Sequence, residues 1–223
     1  MSKNEIVKRY VLLVIGLFFS ALGVAFTKRA ELGVSPISSV ANVMSCKFTA
    51  LSIGIWLIIW NCVLILGQVI ILRRDFKLIQ LLQIPLSLLF GYFTDFGMWC
   101  VSFIPDNTYP VRLVMSVGGV IILGFGISLS VIANVIMNSG EAFVKAISDK
   151  FRKNFGNVKI VFDVSCVVTA LLLSVILFDF SIVGTREGTV IAALCTGIAV
   201  KFFCAKIKKP IEVFIADTVA NAQ

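Results

Sequence analysis

Six long apolar stretches, separated by short polar segments, account for most of this 223-residue chain. They lie at residues 10–26, 51–72, 78–103, 111–136, 158–178 and 189–205. About 20 apolar helical residues cross the hydrocarbon core of a bilayer, which is about 30 Å thick. Only 14% of the residues are charged, whereas soluble domains have about 25%. The sequence therefore predicts an all-α polytopic membrane protein with six spans.

The second half of the chain faintly repeats the first. Each half has a short segment that begins with serine after its first span, Ser35-Pro36 in the first half and Ser139-Gly140 in the second. Each half also has a glycine followed seven residues later by a polar side chain, Gly54 with Asn61 and Gly156 with Asp163. Each half holds three spans, so the halves enter the bilayer in opposite orientations. Such inverted repeats are typical of secondary transporters. We predict one membrane domain over 1–223, with halves at about 10–104 and 111–206 and a cytoplasmic tail at 207–223.

A short helix is predicted after the first span of each half. Ser35 is a good N-cap and Pro36 suits the first helical position, so the first short helix runs to about Cys46. In the second half Ser139 is the predicted N-cap, and Glu141 in the first turn suits the helix dipole. Two interpretations stay open: amphipathic helices at the interface, or re-entrant half-helices whose N-termini line a cavity.

The net charge of +8 indicates membrane topology rather than nucleic-acid binding. With the N-terminus inside, the inner segments hold 15 basic residues. The outer segments hold five basic residues, which are Lys28, Arg29, Lys47, Arg112 and Arg186. Cytoplasmic segments carry such an excess in membrane proteins. Both termini are therefore expected in the cytoplasm, with the lipid bilayer as the partner of the apolar surface.

Polar side chains inside the spans are the candidates for solute or ion binding. An ionisable group there costs about 2.5–3.5 kcal/mol on insertion scales, which makes it a functional hypothesis. Asp95 and Asp163 are candidates for proton or cation coupling, although Lys159 lies one turn before Asp163 and favours a structural ion pair. Asn61 and Asn134 either line a polar path or join helices. We expect Asn at either aspartate to abolish transport while leaving membrane insertion intact.

Catalytic and metal-binding patterns are absent from the sequence. The chain has no histidine, and its six cysteines show no CxxC spacing, so a zinc site is not expected. There is also no HExxH, GxSxG or Walker sequence. We predict neither an enzyme nor a cofactor. Pro85 in the third span is expected to kink that helix.

Four segments in order resemble the YczE/YyaS/YitT-like family of bacterial integral membrane proteins. They are Leu32-Gly33-Val34-Ser35-Pro36, Gly91-Tyr92-Phe93-Thr94-Asp95, Val158-Lys159-Ile160-Val161-Phe162-Asp163 and Glu187-Gly188-Thr189. The resemblance implies location in the bacterial inner membrane and no particular biochemical function. Gly140 departs from the family, which tends to have a proline there.

Our functional hypothesis is secondary transport of a small polar or amphipathic solute by alternating access. In this scheme Pro36 and Gly140 start two short helices that meet near the centre, and Ser35, Ser139 and Glu141 belong to the same site. The alternative is a non-transporting scaffold that supports a partner protein or a biosynthetic pathway. A cavity between the halves favours transport, and a dry bundle favours the scaffold. The sequence leaves a homodimer open.

Overall fold

The computed structural model describes residues 3–104 and 108–220, and this part of the chain contains helices and no strand. The helices are α1 Lys3–Arg29, α2 Pro36–Lys47, α3 Ile53–Leu72, α4 Gln83–Val101, α5 Tyr109–Ala133, α6 Ser139–Phe151, α7 Phe155–Leu177 and α8 Glu187–Ala220. Six of them, all except α2 and α6, are long and apolar enough to cross a membrane. The predicted all-α fold with six spans is confirmed.

Contacts at the helix ends define two sides of the bundle. On the amino-terminal side, where α1 begins, Lys8 Nζ donates to Phe214 O of α8 at 2.7 Å, and Arg9 donates to Ala133 O at the end of α5. On the opposite side Arg112 pairs with Glu31 at 3.0 Å, so α5 begins where α1 ends. Both the start of α1 and the end of α8 therefore lie on the amino-terminal side.

The most closely packed helices are α1 and α5, and glycines allow their close approach. A Cβ at Gly16 would lie 2.8 Å from Gly126 O, and a Cβ at Gly126 would lie 2.6 Å from Gly16 O. Gly23 and Gly119 have the same reciprocal relation, at 2.7 and 2.9 Å. Only a hydrogen on Cα fits in such a crossing, because small residues let backbones approach closely. This crossing joins the first span of each half.

Helix packing in the two halves follows matched pairs. Helix α1 packs on α4, and its counterpart α5 packs on α8. Helix α2 packs on α7, and its counterpart α6 packs on α3. Each short helix also packs on the next helix of its own half, α2 on α3 and α6 on α7. The pair α3–α4 is the exception, since α7 and α8 make no comparable contact in the described part of the chain. An inverted repeat requires such pairing. The repeat itself stays a prediction.

Three local expectations differ from the structure. Helix α4 begins at Gln83 after a 3-10 turn, so Pro85 lies in its first turn. Proline lacks the N–H that a helix interior needs, but the first N–H groups of an α-helix have no partner within it, and the predicted kink in span three stays a prediction. The N-cap of α6 is Asn138 rather than Ser139. Helix α8 continues through Pro210 into the predicted tail, whose last three residues lie outside the described part.

Candidate functional site

The two short helices meet at their N-termini inside the bundle. A Cβ at Gly140 of α6 would lie 2.8 Å from the Ile37 side chain of α2. Helix α2 ends on the opposite side, where Lys28 of α1 contacts Ser45. Helix α6 ends on the amino-terminal side, where Lys150 lies 3.7 Å from Asp75. Both helices therefore run outward from one central region and direct their positive dipole ends toward it.

A cavity of about 170 Å³ lies beside this meeting point, between α1, the end of α5 and the start of α6. Its apolar wall includes Leu17, Ile127 and Val131, and its polar lining consists of Ser20, Ser130, Asn134, Asn138 and Glu141. Asn134 ends α5 in the left-handed conformation, with φ 48°. Asn138 accepts a hydrogen bond from Ser139 N–H and so holds the start of α6. Two predicted site residues, Asn134 and Glu141, are brought together here.

Glu141 is the acidic group of this cavity. Its Oε2 atom is shielded from solvent and accepts no hydrogen bond among the described residues. Helix α6 is not one of the candidate spans, and burial raises the pKa of the Glu141 carboxyl above its ordinary value of 4.5. The charge of Lys159 opposes this shift, and that of Asp163 adds to it. A carboxyl that holds a proton at higher pH than usual is suited to proton binding and release.

Asp163 lies on α7 and forms an ion pair with Lys159, which is the structural alternative that the sequence left open. Both side chains are about a quarter exposed. The charges of both residues affect the pKa of Glu141, although neither lines the cavity. A role for Asp163 in transport stays a prediction.

Asp95 lies away from this cavity and caps α3. Its Oδ1 accepts from Gly54 N–H at 2.9 Å, and its Oδ2 accepts from the Ser52 hydroxyl at 2.5 Å. Ser52 in turn accepts from Ile55 N–H at 3.2 Å. These bonds satisfy N–H groups that have no partner within the helix. The geometry supports a structural role, and the predicted role in ion coupling stays untested.

Removing the Asp95 carboxylate should destabilise the protein. We expect Asp95→Ala to cost about 1–2 kcal/mol, as for the loss of a helix cap, because Gly54 N–H and Ser52 lose their acceptor. Thermal unfolding in detergent measures the effect. Asp95→Asn keeps one acceptor, so its melting temperature should lie between those of the wild type and Asp95→Ala. An Asp95→Ala protein that melts with the wild type contradicts the capping role.

Of the remaining predicted residues, Ser35, Pro36 and Ser139 lie at the starts of the short helices, and Asn61 lies on α3. Asn61 is buried on α3, and its Nδ2 finds no acceptor in the described part of the chain. Ser35 flanks α2 but makes no side-chain cap, and its hydroxyl instead donates to Ser38 Oγ at 3.0 Å. Pro36 and Ser139 are buried at the two helix starts.

Sequence reasoning missed a buried amide pair beside α6. Gln68 of α3 and Gln83 of α4 exchange two hydrogen bonds, at 3.0 and 3.1 Å. Gln68 Nε2 also donates to Ser139 O at 3.2 Å, and Ser87 Oγ lies 3.5 Å from Ser139 Oγ. The pair thus fixes the start of α6 between α3 and α4. Its sequence signal was two glutamines near the same end of adjacent spans.

Two vestibules flank the central region. The vestibule on the amino-terminal side has a volume of about 620 Å³, and residues 135–137 line both it and the central cavity. The vestibule on the opposite side has a volume of about 390 Å³ and lies between the end of α1, α2 and the α7–α8 loop. Residues 135–137 therefore lie between the central cavity and the amino-terminal vestibule.

The six apolar helices define a multi-pass helical membrane protein. The family model described as "Family of unknown function (DUF6198)" matches residues 7–205, so the chain belongs to that family. The chain is 25% identical over 202 residues to the uncharacterized membrane protein YczE of Bacillus subtilis (strain 168), across 90% of this chain and 87% of the relative. The resemblance to a YczE-like family is confirmed. No solved structure matches the chain significantly.

Proposed function

We propose that this protein is a secondary transporter of a small polar or amphipathic solute, working by alternating access. One observation carries the proposal: the N-termini of α2 and α6 meet beside a cavity that contains Glu141. Short helices directed into a bundle from opposite sides are the usual way in which transporters build a site near the middle of the bilayer. In this proposal both short helices are re-entrant.

The solute occupies the central cavity next to Glu141, Asn134 and Asn138. Its polar groups bind the two amides, and its apolar part contacts the α1 and α5 walls. Glu141 carries the coupling proton, since its burial favours the neutral form. Residues 135–137, which lie between cavity and vestibule, form the gate on the amino-terminal side.

The amino-terminal side faces the cytoplasm in this scheme, and the membrane is the bacterial inner membrane. The excess of basic residues in the segments on that side supports this orientation. No chemical reaction is assigned to the protein. The cavity between α1 and α5, which belong to different halves, supports transport over the scaffold alternative.

Proton-coupled uptake by reconstituted protein tests the proposal. Proteoliposomes are loaded with a pH-sensitive dye, and a panel of metabolites and drugs is added outside. A coupled solute should acidify the lumen in a saturable way, and empty liposomes provide the control. If no compound changes the internal pH or accumulates in the vesicles, transport is contradicted and the scaffold alternative is favoured.

A further inference from the structure

The vestibule on the opposite side is lined by charged groups that have no role in the proposed transport cycle. Lys28, Arg29 and Arg186 line it together with one acidic residue, Glu31. Glu31 already pairs with Arg112. The remaining wall includes Asn42 and three apolar side chains, Met98, Ile182 and Val183. We call this space the Lys28 vestibule.

The positive charge of this vestibule is not explained by membrane topology. The sequence places only five basic residues on this side, and three of them, Lys28, Arg29 and Arg186, line the one vestibule. The positive-inside tendency disfavours basic residues here. Their concentration in a concave surface therefore indicates attraction of an anion, because such clefts focus the electrostatic field.

The surroundings of Lys28 indicate where in the vestibule an anion binds. It is partly buried, and its Nζ contacts two neutral partners on α2, Ser45 Oγ and Cys46 Sγ, each at 3.1 Å. Neither of these hydrogen bonds is to an acidic side chain. A partly buried ammonium with neutral neighbours is stabilised by an anion that reaches it.

Asn42 supplies an independent observation on the same wall. Its side chain is 3% exposed, and its Nδ2 donates to Gly184 O at 2.6 Å. Its Oδ1 accepts no hydrogen bond from the described residues. Buried polar atoms are nearly always hydrogen-bonded, so this acceptor calls for a donor. A molecule bound in the vestibule, whose wall includes Asn42, is one source of that donor.

We infer that the Lys28 vestibule binds a small organic anion that carries a hydrogen-bond donor next to its charge and an apolar body. The anionic group contacts Lys28. Arg29, which donates to Ile104 O, and Arg186, which pairs with Glu187 at 3.4 Å, add less to the field. The neighbouring hydroxyl or ammonium donates to Asn42 Oδ1. The apolar body contacts Met98, Ile182 and Val183. The inference rests on the proposed function only in making this vestibule the outer access site of a transporter.

Equilibrium dialysis with three matched probes tests this assignment on the full-length protein in lipid-free detergent. Radiolabelled mandelate has a carboxylate, a neighbouring hydroxyl and a phenyl ring. Phenylacetate lacks the hydroxyl, and mandelamide lacks the charge. We expect mandelate to bind most tightly and mandelamide least, with a detergent-only chamber correcting for partition. Equal binding of the three probes, or none, overturns the inference.

Variants locate the binding. Lys28→Gln should raise the Kd of mandelate about tenfold or more, as expected for the loss of one charge-assisted hydrogen bond. Lys28→Arg should restore binding to within a few-fold, and Asn42→Ala should remove the preference for mandelate over phenylacetate. Lys47→Gln is the matched control, because it removes a cation on the same side that does not line the vestibule. If Lys28→Gln fails to fold, Arg186→Gln at an exposed position should still weaken mandelate binding.

A lipid headgroup such as phosphatidylglycerol shares this chemistry, since its phosphate lies near hydroxyl groups. A second dialysis with phosphatidylglycerol in the micelles separates the two sources. Lys28-dependent retention of the lipid without mandelate binding overturns the assignment to a soluble anion. Dialysis measures binding without any gradient. Intact mandelate binding with failed uptake therefore contradicts only the proposed transport. Uptake without mandelate binding contradicts only this site.

Discussion

Proteoliposomes that contain Glu141→Gln should lose proton-coupled uptake almost completely, by about a hundredfold or more, as for loss of an essential proton-transfer group. Glutamine keeps the size and the hydrogen-bonding capacity of the side chain, but it binds and releases no proton at neutral pH. The cavity and the start of α6 should therefore persist while coupling is lost. Dye-reported acidification, with the solute identified on wild-type protein, measures the effect.

Stability against pH gives a second readout for the same variant. Because burial raises the pKa of Glu141, the folded protein holds its proton more strongly than the unfolded chain. Wild-type stability should then fall as pH rises from about 4.5 through the raised pKa, and Glu141→Gln should lack this loss. The melting temperature of the variant relative to wild type should thus increase with pH.

Asp149→Asn is the matched control for both measurements. It removes a carboxylate from the same helix, but that carboxylate is exposed and pairs with Lys145 at 3.2 Å. Uptake and the pH profile of this variant should follow the wild type. Coupled uptake at wild-type rates by Glu141→Gln would remove Glu141 as the proton carrier.

Gly126→Val should prevent assembly of the bundle or cost about 3 kcal/mol or more, at the upper end for overpacking. A Cβ at this position would lie 2.6 Å from Gly16 O, and backbone atoms of α1 cannot move aside without separating the two helices. Gly23→Val should cause the same defect, because its Cβ would lie 2.5 Å from Leu123 N. The yield of monodisperse protein and its melting temperature in detergent measure the loss.

Gly118→Val separates this steric effect from the change in helix propensity. Gly118 lies on the same helix, and a Cβ there meets nothing within 4 Å. The control therefore introduces the same β-branched residue into α5 without touching α1. If Gly126→Val and Gly118→Val melt alike, close approach of α1 and α5 does not stabilise the bundle.

Capping residues in the sequence predicted the starts of the two short helices well. Ser35-Pro36 predicted the start of α2, and the helix begins at Pro36. In the second half Ser139 was the predicted cap, whereas Asn138 performs this role one residue earlier. Both residue types are good caps, so sequence alone does not choose between neighbours. Pro85 was expected to act in the interior of a helix that in fact begins two residues before it.

The candidate site was predicted only in part, because its geometry depends on distant segments. Asp95 and Asp163 were both candidates in the sequence, as acidic groups within apolar runs, and only Asp163 had a basic neighbour one turn away. Tertiary contacts separate them: Asp95 caps α3 across 41 residues, and Asp163 lies within electrostatic reach of Glu141. The pairing of Gln68 was missed because its partners Gln83 and Ser139 come from two other helices, and two glutamines near the same end of adjacent spans are a weak signal.

The sequence by itself determined the class of protein, the number of spans and the two short helices. These follow from run length, charge and capping residues, which act over one or two helical turns. Only the tertiary structure decided that the two N-termini meet, that Glu141 is shielded beside them, and that Lys28, Arg186 and Asn42 share one vestibule. Ile37 and Gly140, like Lys28 and Arg186, are more than a hundred positions apart, where no local periodicity carries information.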